Sequence, residues 1–267
     1  MRRILRRRER PDGDGLRPGW RRIRRVTKIL PFLPNAPTRM SSPLPQPHPA
    51  EPLARLLLQW GVAHVPMAAT PPVAERLGGW LGWADAIGLS QVLAAPAATA
   101  GNPQARAQAL DWADAALARL QAELPAAFDD ALLARESAEP APEGVSLPDL
   151  LAPYRLHHAQ QQRSMAARIG TLRERLRPHL AESSGALARL AQLDALLERA
   201  TLGPERERLA GLPALLTRRA ERHHAADPRG WRARFWADLQ RLLRAELDLR
   251  LQPVLGLIEA LHDDAAR

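Results

Sequence analysis

Cysteine is absent from the chain. That excludes disulfides, a thiol nucleophile and thiolate metal sites, and it ties the protein to no redox compartment. Aromatic residues are scarce, at 4%, and valine and isoleucine together number 13 in 267 residues. Pleated sheets draw on β-branched and aromatic side chains, so this composition speaks against a β-rich fold. Long apolar runs are missing too. The longest charge-free stretches are 56–74, interrupted by Pro66, Pro71 and Pro72, and 86–105, interrupted by Pro96, Gly101 and Pro103. Neither has the sustained apolarity of a bilayer-spanning helix. The chain therefore reads as soluble or peripheral, without a transmembrane segment.

Catalytic signatures are missing as well. There is no GxGxxG, no Walker-type loop, no GxSxG and no HExxH. His157-His158 and His223-His224 are adjacent pairs. Neighbouring helical positions point about 100° apart, so neither pair chelates a metal by itself. No catalytic, cofactor-binding or metal residue is assigned, and the expectation is a non-enzyme without a cofactor.

What the chain does have is alanine, leucine, arginine, glutamate and glutamine, all strong helix formers. Its charge is lopsided. Residues 1–39 carry 12 arginines and Lys28 against Glu9, Asp12 and Asp14, a net of +10, while the whole chain is +9. Residues 40–267 therefore hold 25 basic and 26 acidic residues, a net of −1. A basic chain suggests nucleic acid, but here only the leading segment is basic. Prolines at 43, 45, 47, 49 and 52 extend that segment into a run that favours polyproline conformations. Residues 1–49 are expected to form a disordered basic, Pro-rich tail. Lys28 stands alone beside 37 arginines. This usage reads as a GC-rich gene, in which open frames extend upstream, and Met40 is the expected true start. If residues 1–39 are truly expressed, they form an arm for nucleic acid or an anionic membrane, and 21–30 has the pattern of a short basic amphipathic helix.

Helical periodicity dominates the body. The first helix is expected over 50–61, with Leu53, Leu57 and Trp60 on one face, and the second over 73–95. Asn102 suits a cap and Pro103 a first helical position, opening a stripe of Leu110, Ala113, Leu117, Leu120 and Leu124. Pro125 is expected to end that helix, with a shorter one over 126–136. Residues 137–148 read as an acidic Pro/Ala linker. Ser146 and Asp149 have capping-box spacing. A long helix over 149–177 carries Leu151, Tyr154, His158, Gln161, Met165, Ile169, Leu172 and Leu176, with Pro178 as its kink or end. His158 and Gln161 interrupt the stripe and are expected at a buried bond or a packed edge. Ser183 or Ser184 restarts a helix, Gly203-Pro204 divides it from another over 204–224, and Asp227-Pro228 caps the last. That one carries Trp236, Leu239, Leu243, Leu247 and Leu251, bends at Pro253 and continues through Val254, Ile258 and Leu261. Short connections between amphipathic helices predict an all-α, multi-helix bundle. Heptads are not sustained, so compact packing is favoured over an extended coiled coil.

Two clusters stand out as interaction candidates. RLGGWLGWADAIGLSQVL, 76–93, has Trp80 and Trp83 and one internal charge, Asp85. A lone carboxylate there needs a cap role, an ion-pair partner or solvent. The structural reading is a cap or ion pair inside a Trp-rich core. The functional readings are an interface anchored by the tryptophans or a shielded acid. Arg218, Arg219 and Arg222, with His223 and His224, form a basic patch. It reads as a solvated helix end, where cations suit the dipole, or as a site for an acidic or phosphate partner.

The stretches 76–93, PYRLHHAQQQRSMAARIGTLRERLR and WRARFWADLQRLLRAELDLRLQPVLGLIEAL together resemble an uncharacterised family of helical proteins from proteobacteria, a domain of unknown function, over about residues 50–262. The resemblance implies no site residue. It implies a cytoplasmic accessory to a cell-envelope complex, because members occur near genes for envelope proteins. The expected organisation is a helical segment over 50–136 and a helical bundle over 149–262, joined by 137–148. The expected function is a non-enzymatic helical scaffold or adaptor that binds protein partners or a second copy of itself. The alternative is a nucleic-acid-binding protein acting through residues 1–39.

Overall fold

A computed structural model describes residues 52–61, 78–79, 81–94 and 101–266. The tail 1–49, the Met40 start, the basic segment 21–30 and Trp80 lie outside the described residues. Among the described residues there are eight helices and no strand: α1 Pro52–Gln59, α2 Trp83–Ala94, α3 Pro103–Phe128, α4 Ala131–Ala138, α5 Leu147–Ser183, α6 Gly185–Ala210, α7 Leu212–Ala226 and α8 Trp231–Ala265. The expected all-α bundle is what the chain forms.

Local chemistry explains most of the helix starts. Asn102 caps α3, its side chain accepting from the Gln104 and Ala105 amides, with Pro103 in the first turn. Asp130 caps α4 in the same way through the Leu132 and Leu133 amides. Ser146 and Asp149 bond to each other at the start of α5, and Ser184 caps α6 through the Leu187 amide. Each such cap contributes about 1 kcal/mol.

Two prolines behave differently from expectation, Pro125 and Pro204, while α8 continues past Pro253 as expected. α3 runs through Pro125 to Phe128, α5 through Pro153 and Pro178, α6 through Pro204 and α8 through Pro253. The break expected at Pro125 falls instead at Asp129-Asp130, and the helix expected over 126–136 is α4. The division expected at Gly203-Pro204 falls at Gly211. Pro153, Pro178 and Pro253 lie on exposed faces. There the carbonyl each proline orphans can turn to water, while tertiary packing on the opposite face outweighs a local cost of about 3 kcal/mol. The last helix begins at Trp231 rather than at Pro228, after a turn in which Asp227 accepts from the Gly230 amide.

α8 is the common wall of the bundle, packing against α1, α3, α4, α5, α6 and α7. Trp231, Leu239, Leu242, Leu243, Val254 and Leu261 are fully buried along it. Trp236, expected in the stripe, is half-buried, and Trp231 and Phe235 take the deep positions. α5 buries Leu151, Tyr154, His158, Met165, Ile169, Leu172 and Leu176 of its expected stripe. One core joins these residues to α1, α3 and α7.

The linker expected over 137–148 is shorter, because α4 continues to Ala138 and α5 begins at Leu147. It is also tied down. Ala141 donates its amide to the Arg229 carbonyl at 2.9 Å, and Arg232 donates to the Glu139 and Pro140 carbonyls. The stretches on either side therefore share packing through α8 instead of standing apart. At another corner three elements converge. Arg106 of α3 pairs with Asp264 of α8 at 3.0 Å, Asp264 accepts from Ser184, and Gly101 lies against the end of α5.

Candidate functional site

α2 is the exception to the packing rule. Its side chains from Trp83 to Leu93 are mostly apolar, yet it buries no residue. It rests on α6, where Gly88 meets Leu196. Trp83 is 84% exposed, Leu93 59% and Ile87 45%. Asp85 sits in its first turn and accepts from the Gly82 amide at 3.3 Å, which is a cap. The cap expected of Asp85 is present; among the described residues Trp83 is exposed and α2 buries nothing, so no Trp-rich core surrounds Asp85 there. Asp85 is the one charged side chain on α2, and it stands at the start of the helix.

The basic patch on α7 divides. Arg219 and His223 both bond Asp238 of α8, at 2.5 and 2.8 Å, and Arg241 bonds its other oxygen. Arg219 also lies 5.3 Å over the Trp60 ring, and Arg222 donates to the Trp60 carbonyl. These groups pin α1 and α8 to α7. The patch is therefore not a solvated helix end: Arg218 is exposed but lies in the middle of α7, and of the last-turn histidines His223 is bound to Asp238.

Three buried or half-buried acids were not singled out by pattern. Glu246 is fully buried and accepts from Gln162 and Arg250 at 2.7–3.1 Å, with His158 Nε2 at an ion-pair distance of 3.6 Å. Burial alone would raise the Glu246 carboxyl, but His158, Arg250 and Gln162 outweigh it and hold it below its usual value. Asp238 follows the same logic: burial raises it, and His223, Arg219 and Arg241 bring the balance below normal. Asp194 binds Arg173 and Arg177, which also reach Glu198. All three carboxylates are occupied by cations. Their geometry braces helix against helix, and removing one partner of such a pair costs about 3–5 kcal/mol. His157 bonds the Phe128 carbonyl at 3.0 Å, where Gln240 donates as well. These two contacts satisfy the end of α3 next to the Asp129-Asp130 break.

A match to the family described as "Protein of unknown function (DUF3348)" covers residues 40–263. The chain belongs to this family. No curated protein and no solved structure matches it. In this DUF3348 member the matched span takes in every described helix except the last two residues of α8, and the Arg-rich residues 1–39 fall outside it. No helix among the described residues is long and apolar enough to cross a membrane. Among them, no group of three or more His, Asp or Glu is placed to hold a metal ion.

Of the residues singled out in the sequence, Trp83 and Asp85 sit together on α2, and Arg219 and Arg222 together on α7. The acids on α8 had one readable signal in this family member. Asp238 and Glu246 fall among Leu239, Leu242, Leu243 and Leu247, so they occupy the apolar face, where a carboxylate needs a cation.

Proposed function

We propose that the chain is a non-enzymatic helical scaffold or adaptor that docks a protein partner through α2. The observation that carries this reading is an apolar helix with no buried residue, presenting Trp83, Ile87 and Leu93. Contiguous exposed apolar surface marks interaction sites, and tryptophan is the residue most often found at their energetic centres. Asp85, in the first turn, is the one charged side chain of α2, so the stretch from Ile87 to Leu93 carries none. Its occupant is therefore an apolar surface of a partner protein, recognised by shape and burial rather than by ion pairing.

The experiment is co-purification from native cells with the unaltered chain and with Trp83→Glu combined with Ile87→Glu. The expected result is a partner captured by the first and lost from the second, while circular dichroism and thermal melts stay unchanged. The family resemblance directs attention to envelope-associated proteins among those captured. The scaffold reading fails if stringent pull-downs under several growth conditions capture nothing, or if the double variant keeps the same partner. Self-association abolished by the double variant would make a second copy the occupant.

A second reading rests on the charge of residues 1–39, +10 against −1 for the remainder. Phosphate contacts release counterions, so such an arm binds nucleic acid with a steep salt dependence. The full chain should bind duplex DNA or RNA at low salt and lose that binding on deletion of residues 1–39. Equal binding by the form starting at Met40 would end this reading.

A further inference from the structure

A groove of about 360 Å³ lies between α3 and α5. Its floor is apolar, made of Ala116 and Leu120 from α3 and Ala167 and Leu172 from α5. Its rim carries Trp112 and three arginines, Arg119, Arg168 and Arg175, and no lining residue is acidic. The two helices pass it antiparallel. Glu123 meets Arg168 toward one end, and Trp112 meets His179, at 4.4 Å between ring centroids, toward the other. Small residues on the facing sides keep the floor low, and the long side chains stand at the edges.

The arginines are unequal in their engagement. Arg168 is paired with Glu123. Among the described residues Arg119 and Arg175 have no carboxylate partner. The Arg175 guanidinium lies 5.3 Å over the Trp112 ring. Stacking uses the face of a guanidinium and leaves its in-plane donors free, already oriented to grip a carboxylate with two hydrogen bonds. The groove thus holds a fixed cationic fork, a second cation opposite it and an apolar floor between them.

We propose that this groove docks an acidic amphipathic helix of a partner protein. Arg168 and Arg175 are seven residues apart on one helix, about 10.5 Å along its axis, and the Arg168–Glu123 pair is solvent-exposed and worth little, so Arg168 can exchange Glu123 for a partner carboxylate. A helix lying alongside repeats its carboxylates at the same interval when they occupy i and i+7, and a third at i+3 or i+4 faces Arg119. Its apolar residues then rest on Leu120 and Leu172. A nucleic-acid backbone fits less well. It needs an extended basic track, and residues 40–267 are balanced at 25 basic and 26 acidic. The inference rests on the scaffold reading and assigns partner chemistry to a second face of it.

The test uses the full chain and a labelled synthetic Ala/Leu/Glu helix of about 16 residues, with glutamates at i, i+3 and i+7. A peptide of the same composition with shuffled glutamates is the control. Saturable binding at about 150 mM salt is expected, weakened at least about tenfold by Arg119→Glu with Arg175→Glu. The reversal Arg135→Glu, on the exposed side of α4, should leave affinity unchanged. Hydrogen–deuterium exchange should slow within 112–120 and 167–176 when the peptide binds. This mapping does not depend on any variant folding. The groove is not the site if the shuffled peptide binds as tightly, if the double reversal has no effect, or if protection falls outside α3 and α5. Displacement of the peptide from these segments by RNA of equal charge would overturn the proposal in favour of nucleic acid. Because the peptide reads α3 and α5 and co-purification reads α2, failure of one is distinguishable from failure of the other.

Discussion

Asp238 and Glu246 lie about two turns apart on α8; Asp238 is held by Arg219 and His223 of α7, and Glu246 by Arg250 of its own helix and Gln162 of α5. Both titrate below their unfolded values. Between the folded and unfolded pKa the unfolded chain binds more protons. The stability these acids contribute is therefore present above about pH 4 and lost as pH falls toward the folded values. His157 acts at higher pH. Burial lowers its pKa despite the Phe128 carbonyl and Asp130, so its share is lost as pH falls from about 6.5. Asp238→Asn should cost about 3–5 kcal/mol near neutral pH, because it strands Arg219 and His223. It should also flatten the acid limb of a plot of melting temperature against pH. Identical acid limbs in variant and parent would remove Asp238 from that account. At this scale the sequence was partly legible. His158 and Gln161 interrupted an apolar stripe and were expected at a buried or packed edge, and His158 is buried. Glu246 was not read: Arg250, four residues further along α8, is a local signal that went unused, while Gln162 and His158 come from α5, which no local spacing brings near.

At the scale of elements, caps were the readable signals, and Pro125 and Pro204 the misleading ones. Asn102 and Ser184 act locally, within three residues of what they bond, and a local rule found them. A proline's cost is local but its tolerance is not. Pro153, Pro178 and Pro253 survive because their helices are held on the far side by packing, which the dipeptide and its neighbours do not reveal. Glycine shows the same contrast. A Cβ on Gly101 would stand 2.0 Å from the Ser183 carbonyl oxygen and 2.9 Å from the Arg106 guanidinium. On Gly170, inside α5, it would meet nothing within 4 Å. Gly101→Ala should destabilise by about 1–3 kcal/mol through overpacking. Gly170→Ala should stabilise by about 0.5–1 kcal/mol by restricting the unfolded chain and favouring the helix. Chemical denaturation of the two variants side by side measures both, and equal midpoints would mean that the α3–α5 corner yields without cost.

For the whole molecule, helical class and near-complete helix placement followed from composition and a 3.6-residue period, because both are properties of single segments. What did not follow was the arrangement. Six helices choose α8 as a neighbour, and α2 is left on the periphery with apolar side chains facing outward. The exposed face of α2 and the Arg-lined groove are products of that arrangement, so neither was visible as a motif.

The position of α8 also bears on how the protein is made. It is the last of the described helices to be synthesised, and α1, α3, α4, α5, α6 and α7 all pack on it. At about 5–20 residues per second, roughly 10–30 s pass between completion of α3 and completion of α8. Through that interval the nascent helices lack the wall that buries them, and their leucine faces are open to chaperones or to one another.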